Sequence, residues 1–145
     1  MLRCDPGGQL AYRRPAGYLR PCETPDAAAR RTVPGSAGSP VALLHSTSWR
    51  HRGDGTIVLA YAGLPDPEPG RAALPIRSFE AASSGDPRRP SPGRVSHEQV
   101  AAHAARHLAF LARADPVVRL ALGQSPRLAE ALGELGGAPA GELAG

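Results

Sequence analysis

Apolar and polar residues alternate most clearly from Val41 to Leu64, VALLHSTSWRHRGDGTIVLAYAGL, where two β-rich runs flank Gly53-Asp54-Gly55. Two hairpin registers fit this stretch. A two-residue Asp54-Gly55 turn pairs odd positions with even ones and spreads the large apolar residues over both faces. A three-residue loop with Gly55 left-handed pairs odd with odd and separates them by size. One face then carries Val41, Leu43, His45, Thr47, Trp49, Ile57, Leu59 and Tyr61, and the other Ala42, Leu44, Ser46, Ser48, Val58, Ala60 and Ala62. Strand register follows such sorting, so the three-residue loop is the prediction. It sets Trp49 opposite Leu59, Thr47 opposite Tyr61 and His45 opposite Gly63.

The C-terminal third changes to a helical period. Val100, Ala101, Ala104, Leu108, Leu111 and Ala112 form one apolar arc. Ser96 and Gln99 have capping-box spacing, with Val95 and Val100 placed as a hydrophobic staple, which predicts a helix to about Ala114. Asp115-Pro116 starts a second helix that stops at Gly123. Ser125-Pro126 starts a third, ended by Gly136-Gly137. At the other end, Gln9–Arg13 and Tyr18–Arg20 predict short strands. Thr24-Pro25-Asp26 supplies an N-cap, a first-position proline and a first-turn acid for a short helix ending before Val33-Pro34. Leu74–Phe79 predicts an edge strand.

Together these elements predict an α+β fold: a small antiparallel sheet built on a central β-hairpin, packed with two or three C-terminal helices. The expected domain runs over 1–137. Within it lie a Pro/Gly-rich N-terminal part (1–40), the hairpin (41–64), a flexible linker (83–94) and a helical part (95–136), with a disordered tail at 138–145. The small-residue hairpin face is expected to take a helix closely. The bulky face needs other cover, which the N-terminal strands are placed to give.

Composition narrows the function classes. Ala, Arg, Gly and Pro make up just over half of the 145 residues, and the 17 basic residues are all arginine. That bias reads as a GC-rich genome rather than as chemistry. The net charge is only +4, and it is dispersed in pairs such as Arg13-Arg14 and Arg88-Arg89. Nucleic-acid binding needs clustered phosphate contacts and stacking aromatics, and the chain shows neither. Cys4 and Cys22 lack metal or disulfide spacing and read as reduced thiols. No secretory h-region or membrane-length apolar run is present, so a cytoplasmic protein with no membrane partner is expected.

Candidate chemistry centres on histidines and aromatics. His45, Trp49 and Tyr61 share the predicted bulky face, and His45 opposite Gly63 leaves a gap of the kind that small ligands fill. His103 and His107 stand i, i+4 on a helix, the spacing that lets two imidazoles hold one metal. With His45 they would make an open three-histidine site suited to zinc hydrolysis. HAARH lacks the HExxH glutamate, and Glu98 lies upstream. Strand alternation keeps His45 and Ser46 apart, and no activated-serine elbow occurs. Arg52-Gly53-Asp54 reads as turn chemistry. Asp66 and Glu68 among prolines, and Glu130 and Glu134 on a helix, read as solvated surface.

HSTSWR, the strand ending YAGLPDP and the downstream HAARHLAFL resemble motifs of a group of small proteins from high-GC actinobacteria. The resemblance covers residues 41–69 and 95–123 and implies no activity to transfer. The mixed sheet with helices also suggests Nudix hydrolases, but their REUxEExGU signature is absent, so that likeness implies no catalytic residues here.

The leading expectation is therefore a non-enzymatic accessory domain that binds a small molecule or a protein through His45, Trp49, Tyr61 and Gly63, without a cofactor. The alternative is a metal-dependent hydrolase using His45, His103, His107 and zinc. The core is small enough that an oligomer or a partner could complete it.

Overall fold

A computed structural model describes residues 1–33, 41–80, 82–86, 88 and 92–136. Residues 35–40, a Gly/Ser/Pro stretch that reads as a loop between the short helix and the hairpin, and the predicted tail at 138–145 lie outside the described residues.

The chain runs β1 (Leu2–Cys4), β2 (Leu10–Tyr12), α1 (Pro25–Thr32), β3 (Leu43–His51), β4 (Ile57–Leu64), β5 (Leu74–Pro75), α2 (His97–Ala114), α3 (Pro116–Gly123) and α4 (Pro126–Gly133). Two antiparallel sheets form, one of order β1-β2-β5 and one consisting of the β3-β4 hairpin. With four helices among the described residues, and the hairpin against α2, the fold is α+β as expected. No described helix is long and apolar enough to cross a membrane.

The helix punctuation acts as its chemistry requires. The Thr24 hydroxyl accepts from the Ala27 amide, and Pro25 opens α1. Ser96 and Gln99 form the reciprocal capping box of α2, at 2.9 and 3.1 Å. The Asp115 carboxylate accepts from Val117 N–H at 2.8 Å and starts α3. Ser125 makes no such side-chain bond, and α4 ends at Gly133, short of the glycine pair proposed to stop it.

The N-terminal part differs more from expectation. Leu2–Cys4, which carried no strand signal, pairs with Leu10–Tyr12, whereas Tyr18–Arg20 forms no strand. The predicted edge strand at 74–79 shrinks to Leu74-Pro75, paired with Tyr12 and Ala11. Beyond it, the backbone amides of Arg77 and Ser78 donate to Glu98 Oε1 instead of to a strand.

The hairpin follows the predicted register from its turn inward. Gly55 has φ 83°, its N–H donates to the Arg52 carbonyl, and Arg52 N–H donates to the Thr56 carbonyl at 2.8 Å. This is the three-residue loop with a left-handed glycine. His51 pairs with Ile57, Trp49 with Leu59 and Ser48 with Ala60. The register then shifts between Ser46 and Ser48, leaving Thr47 as an extra residue. Ser46 now faces Tyr61, His45 faces Ala62 and Leu43 faces Leu64, so the expected Thr47–Tyr61 and His45–Gly63 pairs do not form. One inserted residue reverses the face of every side chain before it.

Leu43 and His45 consequently join Ala62 and Leu64 on the side covered by α2. Helix α2 meets them with Ala101, Ala102, Ala104, Ala105 and Ala109, whose short side chains permit close approach, while Leu108 is fully buried among them. The same hydrophobic cluster takes in Leu2, Leu10 and Tyr12 of the first sheet, Ile76, and Val118, Leu122, Leu128 and Leu132 of α3 and α4. The side that takes the helix thus keeps Ala62 of the predicted small-residue face, but Leu44 and Ser46 turn away from α2 and Leu43 and His45 take their place.

Candidate functional site

Three arrangements carry chemistry, and the bulge at Thr47 determines two of them.

The outer hairpin face comes first. Alternation from the Trp49–Leu59 pair places Trp49, Ile57, Leu59 and Tyr61 on the side away from α2. Trp49 is 70 % exposed, Ile57 61 % and Leu59 41 %. Tyr61 is held at the base of this face. Its hydroxyl donates to Asp26 Oδ1 of α1 at 2.6 Å, and that bond, with some burial, pushes its pKa up to about 12.

The His45–Trp49–Tyr61–Gly63 pocket does not assemble. His45 lies on the opposite side of the sheet from Trp49 and Tyr61. A Cβ on Gly63 would meet Met1 Sδ at 2.8 Å and Leu44 Cδ1 at 3.4 Å, so Met1 fills the space left by the glycine. The N-terminal segment thereby covers the base of the outer face and leaves its distal half open.

The second arrangement is the seam between β3 and α2. His45 Nε2 lies 3.3 Å from His107 Nε2, with ring centroids 5.3 Å apart and planes 22° from parallel. His103 stacks parallel to His107 at 6.4 Å, but its Nε2 is engaged 3.3 Å from the Thr47 carbonyl. Burial, then the neighbouring His45 and His103, holds His107 below the usual histidine pKa. The i, i+4 pair therefore reaches the hairpin at two different points. Among the described residues no group of three His, Cys, Asp or Glu side chains is placed to hold a metal ion, so the three-histidine centre is not formed. Only His45 and His107 aim at each other.

The third arrangement had no signal in the residue pattern. Asp66, read as solvated, is 8 % exposed. Arg13 grips it through Nη2 at 2.7 Å and Nε at 3.2 Å, and Arg3 Nη1 reaches it at 3.2 Å. The Glu68 amide donates to Asp66 Oδ1 at 3.1 Å. Glu68 in turn meets Arg13 at 3.0 Å and Arg71 at 2.8 Å. Burial is the largest single influence on Asp66 and raises its pKa. The Arg13 bond, the Glu68 amide and the two guanidinium charges together outweigh it and hold the carboxyl below its ordinary value. Such convergence depends on residues more than fifty positions apart, and no local motif announces it.

An open cleft of about 610 Å³ lies beside this network, lined by Arg13, Arg14, Thr32, Glu68 and Arg71 among others. Its arginines are already engaged: Arg13 by Asp66 and Glu68, Arg71 by Glu68, and Arg14 with His97 Nε2 at 3.0 Å. The cleft reads as one wall of the ionic network. Comparisons with protein-family models, with curated proteins and with solved structures found no match to this chain.

Proposed function

We propose that this chain is an accessory domain that docks a protein partner on the outer face of the hairpin. The observation that carries the reading is the exposed, adjacent set Trp49, Leu59 and Ile57. Single exposed apolar residues are ordinary, but neighbours on one face of a strand pair form a patch of the kind that marks interaction sites. Tryptophan is also among the residues that most often dominate binding energy.

The rim of the patch indicates the partner's chemistry. His51, paired with Ile57, and Arg52 flank the hairpin tip, with Asp54 as the nearby acid, 3.7 Å from Arg52. A partner with an apolar ridge bordered by carboxylates is complementary to both features. Cys4 and Cys22 are free thiols, which favours placing the domain in the cytoplasm.

Trp49 is the only tryptophan, so its fluorescence reports this face alone. A displayed random-peptide library selected against the immobilised protein should enrich sequences combining aromatic or aliphatic residues with Asp and Glu. These peptides should shift the Trp49 emission to the blue and lose at least about tenfold in affinity against Ile57→Ser or Leu59→Ser, since hot-spot losses begin at about 2 kcal/mol. Enriched peptides that bind the variants equally well would refute the reading. A blue shift that grows with protein concentration alone would assign the face to a second copy of this chain instead.

A further inference from the structure

We propose that His45 and His107 chelate one divalent transition-metal ion through their Nε2 atoms, and that the ion clamps the hairpin to α2. This site is independent of the docking face, which lies on the other side of the sheet.

The argument begins with a distance. Two imidazole nitrogens bound at about 2.0–2.1 Å to one tetrahedral metal lie roughly 3.3–3.4 Å apart. The Nε2 atoms of His45 and His107 are 3.3 Å apart across 62 residues of sequence. Two rings from different elements, half-buried and facing each other through the same nitrogen, are arranged as ligands before any ion arrives.

Without metal, two Nε2 atoms at this distance attract only if one ring carries its proton there and donates to the other. Metal binding moves that proton to the Nδ1 of the same ring and leaves both Nε2 lone pairs for the ion.

The donor set selects the ion class. Imidazole without thiolate or carboxylate suits zinc, nickel, cobalt and copper over magnesium or calcium. His103 stays with the Thr47 carbonyl, and no third described His, Cys, Asp or Glu completes the group. The remaining coordination positions therefore go to water, which leaves the ion open to an exogenous ligand.

The test uses the tag-free full chain, stripped with chelator and titrated with Zn²⁺ by calorimetry and with Co²⁺ by visible absorption. One ion per chain is expected. His45→Gln and His107→Gln should each weaken binding at least about tenfold, as loss of a direct ligand exceeds the usual loss of a supporting group. His103→Gln should leave affinity within about twofold. In the wild type, Zn²⁺ should shift the Nε2 resonances of His45 and His107, a readout that needs no variant to fold. Absence of binding at millimolar Zn²⁺, Nε2 shifts confined to other histidines, or binding that survives both glutamine variants would overturn the site. An equal loss in His103→Gln would replace it with a three-histidine centre.

Discussion

The two halves of the hairpin, divided at Thr47, have the same backbone pairing and opposite fates. On the proximal side Leu43, Ala62 and Leu64 are buried under α2, and the chain leaves β4 directly into the buried Asp66 network. On the distal side Trp49, Ile57 and Leu59 stand in solvent around a charged turn. An isolated two-stranded ribbon is marginal in water. The proximal half therefore anchors the distal half, which is left free to present side chains. A hairpin can serve as core and display surface at once when one inserted residue changes which side chains face inward.

The largest effects should fall on the anchored side. Leu108→Ala removes a fully buried side chain from the helix that covers it, and should cost about 4 kcal/mol in urea unfolding. Ile57→Ala on the distal half should cost well under about 1 kcal/mol, because little apolar area leaves a buried environment. Equal costs would erase the distinction between the halves.

Asp66→Ala comes next. It removes the bidentate partner of Arg13 and the ionic partner of Arg3, whose side chains are 11 % and 18 % exposed, leaving Arg13 with Glu68 and Arg3 with backbone carbonyls, and should destabilise by about 3 kcal/mol, the lower end for breaking a buried pair. Arg52→Ala at the exposed tip should change stability by less than about 0.5 kcal/mol. A small effect at Asp66 would show that its network is solvated, and would shift the anchor to the apolar contacts alone.

The pH dependence sharpens the same contrast. The folded Asp66 pKa lies below its unfolded value of 3.8, so its contribution is fully present above that value and is lost as pH falls through the lower folded one. Thermal midpoints should therefore drop steeply below about pH 4. In Asp66→Asn this component of the drop should disappear. An unchanged acid profile in that variant would place the sensitive carboxylates elsewhere.

The smallest stability effect is expected at the most prominent side chain. Trp49→Ser should leave the unfolding midpoint within about 0.5 kcal/mol of wild type while abolishing partner binding. A loss above about 2 kcal/mol would mean that Trp49 packs intramolecularly in solution and that the distal face is not free.

Helix boundaries were the most legible part of the chain, because caps are local. Thr24-Pro25, Ser96 with Gln99 and Asp115-Pro116 each satisfy backbone donors within three residues, so their identities alone locate α1, α2 and α3. The turn was legible for the same reason, since Gly55 marks a left-handed position and with it the register out to Ser48–Ala60. Short strands such as Leu2–Cys4 were not, because three residues hold too little pattern to stand out from loop.

The site divides along the same line. Residue types and spacing were enough to single out His45, His103, His107, Trp49 and Tyr61, and to establish the hairpin, its loop and the helices that cover it. Which of those residues meet was decided by the tertiary structure. A bulge at Thr47 is a compromise between strand pairing and the burial of Leu43 against α2, and that compromise depends on a helix more than fifty residues away. It parts His45 from Trp49 and Tyr61, brings it to His107, and leaves the aromatic face to solvent. Asp66 shows the same limit more sharply. Its burial is stable only because Arg3 and Arg13 arrive from another sheet, and a charge can be taken out of water only where its partners are already in place.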